Sequence, residues 1–208
     1  MAINEYGQPV GDPVDWSPAA YPPHTMLTGT HVTLEPLAIG HAADLFAALN
    51  QPGHESDWTY LPEEPFTDAA EFRSFIDRMI ADDGLLAFAA VVGGRALGFG
   101  SLMRIQPALG TIELGWLHFG PDLRGTPAAR EAFQLWEDHV FALGYRRYEW
   151  KCDALNERSR RAAERLGFSY EGTWRNALVY KGRNRDTAWF AMTASSRLGS
   201  QSARMRLR

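Results

Sequence analysis

The segment that most constrains the fold runs from residue 111 to residue 168, where strand and helix patterns alternate with very short joints. Residues 111–119 are rich in β-branched and aromatic side chains, which favour a strand. Residues 120–127 hold two glycines and two prolines and predict a turn. Apolar residues then recur at helical spacing as far as Gly144, and residues 145–152 alternate as a second strand. A strand, a helix and a strand joined this closely predict a parallel pair of strands.

The turn before the predicted helix has the features of an anion site. It lies at the carboxyl end of a strand, where open sheets bind their ligands. The first N–H groups of a helix lack internal partners and carry roughly half a positive charge, and Arg124 adds a fixed one. We therefore expect a phosphate near residues 124–129. Alternatively, Gly125 and Pro127 only shape the turn.

A second helix is predicted to begin at Asn156, which is a good N-cap residue. Ser159 follows one turn later, and Gly167 is placed to end the helix before Phe168 returns to the core. Taken alone, this segment is an ordinary capped helix. Because the segment follows the predicted anion site at a short distance along the chain, it is a more specific signal than a capped helix alone.

Together these residues resemble the GNAT acetyltransferases, which acetylate amines from acyl-CoA. The family's pyrophosphate loop follows Q/R-x-x-G-x-G/A, and Arg124-Gly-Thr-Pro-Ala-Ala129 agrees at its first and last positions. Pro127 replaces a glycine; it offers no N–H but suits the first position of a helix. Residues 156–168 are similar to the family's N-x-x-S/A…L-G-F segment. A wider match, including residues 34–37, 58–62, 149–156 and 181–186, resembles the ribosomal-protein N-terminal acetyltransferase branch.

The resemblance implies an α/β (α+β) fold: one domain with a mixed central sheet, flanking helices and a splayed parallel strand pair. It implies direct transfer of an acetyl group from acetyl-CoA to a primary amine, on a ribosomal protein N-terminus or a small molecule. The residues expected to hold acetyl-CoA are Arg124, Gly125, Thr126, Ala128 and Ala129 at the diphosphate, Asn156, and the backbones of Leu117 and Phe119 beside the pantetheine arm.

Two side chains are candidates for the chemistry. Glu113, on the strand before the turn, is the expected general base, because a carboxylate on an otherwise apolar strand needs a reason. The alternative is a structural acid paired with an arginine. Many relatives protonate the departing sulfur with a tyrosine, but Ala163 stands at that position. Ser159 is the expected substitute, unless its hydroxyl only binds the helix backbone.

The acceptor is expected beside the loop that holds Trp58 and Tyr60, where Glu63 and Glu64 would suit a cationic amine. The alternative is that both aromatic rings fold back onto the core. His118 could also contact substrate, although a satisfied structural histidine is the simpler interpretation. Residues 181–186 could border the same cleft, but a solvated loop is favoured.

Composition limits the remaining choices. A chain of 208 residues with 45% hydrophobic residues suits one domain at 29–194, with an extended, proline-rich arm at 1–28 and a basic tail at 195–208. One cysteine, Cys152, allows no internal disulfide, and no membrane-length apolar run or signal segment is present, so a cytoplasmic protein is expected. A net charge of -4 predicts no general attraction to nucleic acid, and histidine spacing predicts no metal.

Two other functions compete with the enzyme. Pro127 and Ala163 both depart from the family pattern, which would fit a non-catalytic sensor or scaffold that binds acyl-CoA. The four arginines between residues 197 and 208 could contact RNA. A homodimer is left open.

Overall fold

The computed structural model describes residues 1–197, and its centre is an eight-stranded mixed sheet. The strands are β1 (Ala2–Ile3), β2 (Pro9–Val10), β3 (Leu27–Thr28), β4 (Thr33–Pro36), β5 (Leu85–Val92), β6 (Arg95–Gln106), β7 (Thr111–Phe119), β8 (Arg147–Asp153), β9 (Ser169–Tyr180) and β10 (Arg183–Thr193). The helices are α1 (Ala42–Leu49), α2 (Ala69–Ala81), α3 (Pro127–Ala142) and α4 (Glu157–Leu166), with short 3-10 turns at Ile39–His41 and Glu55–Trp58. The order in the sheet is β3-β4-β5-β6-β7-β8-β10-β9, while β1 and β2 pair separately.

The sheet separates two apolar clusters. Along β5, Phe88 and Ala90 belong to the cluster under α3 and α4, whereas Ala87 and Ala89 belong to the cluster under α1 and α2. This is the alternation that a strand imposes, since successive side chains point to opposite faces. Both faces of the sheet are therefore covered, as the predicted fold class requires.

One strand pair is parallel and short. β7 pairs with β8 only over Thr111–Leu114 and Arg147–Trp150, whereas the other neighbouring strands in the sheet are antiparallel. Beyond Leu114 the register of β7 against β6 shifts by one residue, and Trp116 has a φ of 49°. Such a bulge bends and twists a strand, so β7 turns away from β8. The predicted mixed sheet with a splayed parallel pair is confirmed.

The β5–β6 hairpin, predicted through Gly93 and Gly94, is confirmed. The interpretation of Gly98 and Gly100 as a bend or bulge also agrees with the structure. The register of β6 shifts against β5 beside Gly98, and against β7 between Phe99 and Ser101.

The N-terminal arm lies along the domain in the described part of the chain. The Trp16 indole N–H donates to the Gly144 carbonyl at 3.0 Å, and the Ala19 N–H donates to the Pro107 carbonyl at 3.1 Å. At the other end, the Arg197 Nε lies 2.9 Å from Glu137 Oε1, and the guanidinium also contacts Asp138. The rest of the predicted basic tail, residues 198–208, lies outside the described residues. Among residues 1–197, no helix is long and apolar enough to cross a membrane.

We predict that Gly98→Ala lowers stability, because β6 and β7 approach each other too closely for a side chain there. An added Cβ would lie 2.8 Å from the His118 carbonyl oxygen and 2.9 Å from the Phe119 Cα, both of which are backbone atoms that cannot rotate away. We expect a loss of about 1–3 kcal/mol in urea unfolding. Gly40→Ala is the control, because an added Cβ there meets no atom within 4 Å. Equal stability of the two variants would contradict the close approach.

Candidate active site

Three adjoining cavities form one groove between α3, α4 and the splayed strands. The outer cavity, of about 670 Å³, and the middle cavity, of about 510 Å³, share Gly125, Ala129 and Phe133. The middle cavity and the inner cavity, of about 270 Å³, share Tyr60 and Ser159. Because neighbouring cavities share wall residues, the groove is continuous from the start of α3 to the inner cavity.

The start of α3 offers fewer amide donors than its sequence predicts. Pro127 occupies the first helical position, as expected, and contributes no N–H. Thr126 caps the helix, and its Oγ1 already accepts the Ala129 N–H at 3.1 Å. No hydrogen-bond partner of the Gly125 or Ala128 N–H is present in the described part of the chain. The Ala128 side chain lines a separate cavity of about 220 Å³ rather than the groove.

Arg124 lies at this end of the groove, but an acid already holds it. Its Nη1 and Nη2 each lie 2.7 Å from one carboxylate oxygen of Asp57, and Arg158 Nη1 lies 2.9 Å from Asp57 Oδ1. The Asp57 side chain is 8% exposed. Burial alone would raise the pKa of Asp57, but the hydrogen bonds from Arg124 and Arg158 outweigh it and hold the pKa below its usual value. Sequence reasoning missed Asp57, because no motif marks its loop.

The edge of β7 that faces the middle cavity has no strand partner in the described residues after Leu114. Leu117, His118 and Phe119 line that cavity. A strand edge without a partner presents backbone N–H and C=O groups that a bound chain can pair with. Leu117 and Phe119, which the resemblance assigns to the pantetheine arm, therefore lie on an open strand edge in the groove.

At the start of α4, Asn156 and Ser159 both line the groove. The Asn156 side chain accepts the Ser159 N–H at 3.0 Å, so Asn156 is the predicted N-cap. The Ser159 Oγ accepts a hydrogen bond from the Trp150 indole N–H at 3.0 Å. Within residues 1–197 the Ser159 hydroxyl makes no hydrogen bond to the helix backbone, which was the alternative. Because Trp150 occupies a lone pair of Oγ, the hydroxyl proton remains available to another acceptor.

Glu113 lies in the wall of the inner cavity, which Ser159 also lines. Its carboxyl is only 1% exposed, and its Oε2 lies 3.3 Å from both Arg104 Nε and Lys151 Nζ. Burial raises the pKa of Glu113, and the two nearby cations only partly oppose that effect. Glu113 is therefore paired with an arginine, as the structural interpretation expected, and it also faces the cavity that a catalytic base would need.

Cys152 also lines the inner cavity. Burial raises the pKa of its thiol, and the lowering effects of Ser159, Arg185 and Arg160 do not compensate. A thiol with a raised pKa is mostly protonated at neutral pH and is a poor nucleophile.

Trp58 does not line the groove, although the sequence suggested that it would. It is 1% exposed, its ring packs 5.4 Å from that of Phe66, and its indole N–H donates to the Leu49 carbonyl at 3.2 Å. The indole is thus part of the cluster under α1 and α2. Because it is buried there, it does not contact an acceptor in the groove. Tyr60 does line the groove, and its hydroxyl donates to the Leu155 carbonyl at 3.2 Å.

His118 is part of the wall of the middle cavity, but it is only 5% exposed, and its ring lies 4.4 Å from that of Trp58. Burial lowers the pKa of His118 to about 4, so the ring is neutral at physiological pH.

The two acids that were expected to bind the acceptor amine lie outside the groove. Glu63 pairs with Arg78 at 3.4 Å, and Glu64 pairs with Lys181 at 3.3 Å. Neither acid lines the three cavities of the groove. Among the described residues, no group of three metal-ligating side chains occurs.

Comparison with known proteins agrees with this geometry. The family model of the acetyltransferase (GNAT) domain matches residues 31–169. A GCN5-related N-acetyltransferase from Brucella melitensis has 45% sequence identity and a TM-score of 0.85, over 88% of this chain and 84% of that one. A probable acetyltransferase of the GNAT family from Chromobacterium violaceum has 37% identity and a TM-score of 0.83, over 91% of this chain and 98% of that one.

A provisionally assigned ribosomal-protein-serine acetyltransferase from Vibrio cholerae shares the fold at 18% identity, with a TM-score of 0.69 over 81% of this chain and 97% of that one. No curated protein matches the chain. Since the family model covers residues 31–169, well over half of the sequence, and a solved GNAT structure is 45% identical, the chain belongs to the GNAT acetyltransferase family.

Proposed function

We propose that the protein is an N-acetyltransferase that transfers an acetyl group directly from acetyl-CoA to a primary amine. The observation that carries this proposal is the position of Glu113 and Ser159 on the wall of one inner cavity, at the end of a groove that begins at the start of α3. A base and an acid are both needed, since the ammonium must lose a proton and the thiolate must gain one.

The residues present fit acetyl-CoA. At the phosphate end, the unpartnered N–H groups of Gly125 and Ala128 and the arginines that line the middle cavity offer donors and positive charge. These arginines are Arg124, Arg158, Arg161 and Arg165. Along the groove, the open edge of β7 can pair with the amide-bearing arm as an added strand. The thioester would then lie near Ser159.

The chemistry needs only groups on this chain and the two substrates. Glu113 takes a proton from the ammonium, directly or through one water, and the amine nitrogen forms a bond to the thioester carbonyl carbon. The C–S bond breaks, and the Ser159 hydroxyl donates a proton to the departing thiolate. The nitrogen loses two protons overall: one restores the Ser159 hydroxyl after it has protonated the sulfur, and the other passes from Glu113 to solvent.

A non-catalytic acyl-CoA sensor is the second candidate, and the replacement of the family's usual acid favours it. Ala163, which is 0% exposed, stands where many relatives have the tyrosine that protonates the sulfur. Calorimetry with acetyl-CoA, followed by free-thiol release across a panel of amines, separates the two functions. Binding without turnover of any amine would favour the sensor. Turnover of at least one amine supports the enzyme.

The cellular setting of the enzyme follows from the same proposal. A cytoplasmic enzyme suits the single free cysteine, which a reducing compartment keeps as a thiol. A protein N-terminus and a small-molecule amine both carry the primary amine that this reaction requires. Homodimer formation stays a prediction, and the arginine-tail contact with RNA falls mainly on residues outside the described part of the chain.

We predict that Asp57→Asn binds acetyl-CoA more tightly, by several-fold at pH 7.5, because the carboxylate competes with the diphosphate for Arg124. The same variant should be less stable at pH 7.5 by about 1–2 kcal/mol, because an ion pair that is mostly buried is lost. The pKa of Asp57 is lowered by folding, so its contribution to stability is present above the ordinary pKa and disappears as the pH falls through the folded value. The stability difference should therefore vanish well below pH 4.

Calorimetry measures the affinity of Asp57→Asn for acetyl-CoA, and urea unfolding measures its stability. Asp122→Asn is the matched control, since Asp122 contacts Gln51 at the surface and lies outside the groove. Weaker binding of acetyl-CoA by Asp57→Asn would show instead that Asp57 holds Arg124 in its binding position.

We predict that Glu113→Gln lowers kcat about a hundredfold or more, because the base is removed. Its stability at pH 8 should equal or exceed that of the wild type. The folded pKa of Glu113 is raised, so the stability it contributes is present at low pH and is lost as the pH rises through that pKa. Glu35→Gln is the control, since Glu35 pairs with His41 at 3.2 Å and lies outside the groove. Unchanged kcat in Glu113→Gln, measured by thiol release, would remove the proposed base.

We predict that Ser159→Ala lowers kcat at least tenfold while the Kd for acetyl-CoA stays within about twofold, because the proton donor acts on the leaving sulfur. Steady-state kinetics and calorimetry give the two quantities. Ser74→Ala is the control, since the Ser74 hydroxyl donates to the Ala70 carbonyl within α2, at 3.0 Å. If both serine variants keep the wild-type kcat, Ser159 is not the acid.

A further inference from the structure

Two acids and two cations line the inner cavity, namely Glu113, Asp153, Lys151 and Arg185. Glu113 is matched by Arg104 and Lys151, each 3.3 Å from its carboxylate. Asp153 is also engaged, since one oxygen accepts the Tyr180 hydroxyl at 2.8 Å and the other accepts the Leu155 N–H at 2.8 Å. Both acids that line the cavity therefore have partners.

Arg185 lines the same cavity. Its Nε is buried without a hydrogen-bond partner, and within residues 1–197 the side chain makes no ion pair. Its guanidinium lies 5.6 Å from the centre of the Tyr180 ring. A buried donor that bonds to nothing costs free energy, so an unsatisfied one in a cavity wall needs an explanation. A bound anion would supply it.

The adjacent acid, Asp186, makes no ion pair with Arg185 among residues 1–197, and one of its oxygens is engaged elsewhere. Asp186 Oδ1 accepts the Asn176 N–H at 2.8 Å and the Asn184 side-chain amide at 3.0 Å. This contact fixes a bulge in β9, where the pairing with β10 jumps between Arg185 and Thr187. The segment predicted to be a solvated loop is therefore largely strand, and it presents one unpaired cation to the groove.

We propose that the acceptor is a small amine that also carries an anionic group, which Arg185 binds while Glu113 receives the ammonium proton. This inference rests on the proposed N-acetyltransferase function. A planar guanidinium binds a carboxylate or phosphate through two parallel hydrogen bonds, which fixes the orientation of the amine as well as its affinity. An inner cavity of about 270 Å³, with Tyr60 and Leu178 in its wall, suits an acceptor of amino-acid size.

The test compares acceptors that differ only in the anion. L-leucine is paired with L-leucinamide, and 2-aminoethyl phosphate with ethanolamine, with each rate expressed per unprotonated amine. We expect the wild type to prefer an anionic member by about 10- to 100-fold in kcat/KM, the range of a charge-assisted hydrogen bond. A preference within the leucine pair alone identifies the anion as a carboxylate, and a preference within the ethanolamine pair alone identifies it as a phosphate. A preference within both pairs shows that the site accepts either anion.

Arg185→Gln should remove the preference while leaving the rate with the neutral member within about threefold, and Arg185→Lys should restore part of it. Arg183→Gln is the control, because Arg183 lies on the same strand, is exposed and lines none of the groove cavities. Thermal melting of each variant checks that it folds.

Three outcomes would overturn the inference. A wild type that uses neutral members as well as anionic ones, or that prefers peptides with neutral N-terminal residues, contradicts it while the acetyltransferase function stands. An unchanged preference in Arg185→Gln removes the residue from the anion site. If no amine turns over, the proposed acetyltransferase function fails. The anion site at Arg185 is then tested separately, by measuring the affinities for N-acetyl-L-leucine and for its amide by calorimetry. Equal affinity for those two ligands would contradict the anion site.

Discussion

The groove depends on the short parallel pairing of β7 and β8. Four residues on each strand hold the sheet together, and the bulge at Trp116 then turns β7 away. Had the pairing continued, Leu117 and Phe119 would bond to β8 and offer no edge to a ligand. The same divergence opens the space into which Glu113 and Ser159 face. One extra residue in one strand thus creates both the path for the carrier and the chamber for the chemistry.

Electrostatics then divide the groove into two ends. Toward the outer end, four arginines and one acid line the middle cavity, and the acid, Asp57, pairs with two of the arginines, Arg124 and Arg158. At the inner end, burial works against the charge on Glu113, so its pKa is higher than that of an exposed carboxyl. A base with a raised pKa holds a proton more strongly than an ordinary carboxylate, which suits the removal of a proton from an ammonium group.

Local signals in the sequence were enough for the elements around the site. The glycines and prolines of residues 120–127 marked the turn, Asn156 and Gly167 marked the ends of α4, and alternating apolar residues marked β8. The family resemblance then indicated the mixed sheet, its splayed pair and the carrier. These features depend on residues close together in the chain, or on motifs that keep a fixed spacing.

Side-chain partners across the fold could not be predicted in this way. Trp58 enters the core because α1 and α2 enclose it, although its own loop looks exposed in the sequence. Asp57 meets Arg124 across 67 residues, and no pattern links the two. In the described part of the chain Arg185 makes no ion pair, while Asn176 and Asn184 bond to the neighbouring Asp186 at the β9 bulge. Each of these outcomes depends on long-range packing.

A crystal structure with bound acetyl-CoA tests the central claim most directly. The account predicts the diphosphate beside the Gly125 and Ala128 N–H groups, the pantetheine arm along Leu117–Phe119, and the thioester between Ser159 and Glu113. Arg124 should have left Asp57 for a phosphate oxygen. Phosphates bound away from the start of α3, or an arm that does not follow β7, would contradict the account.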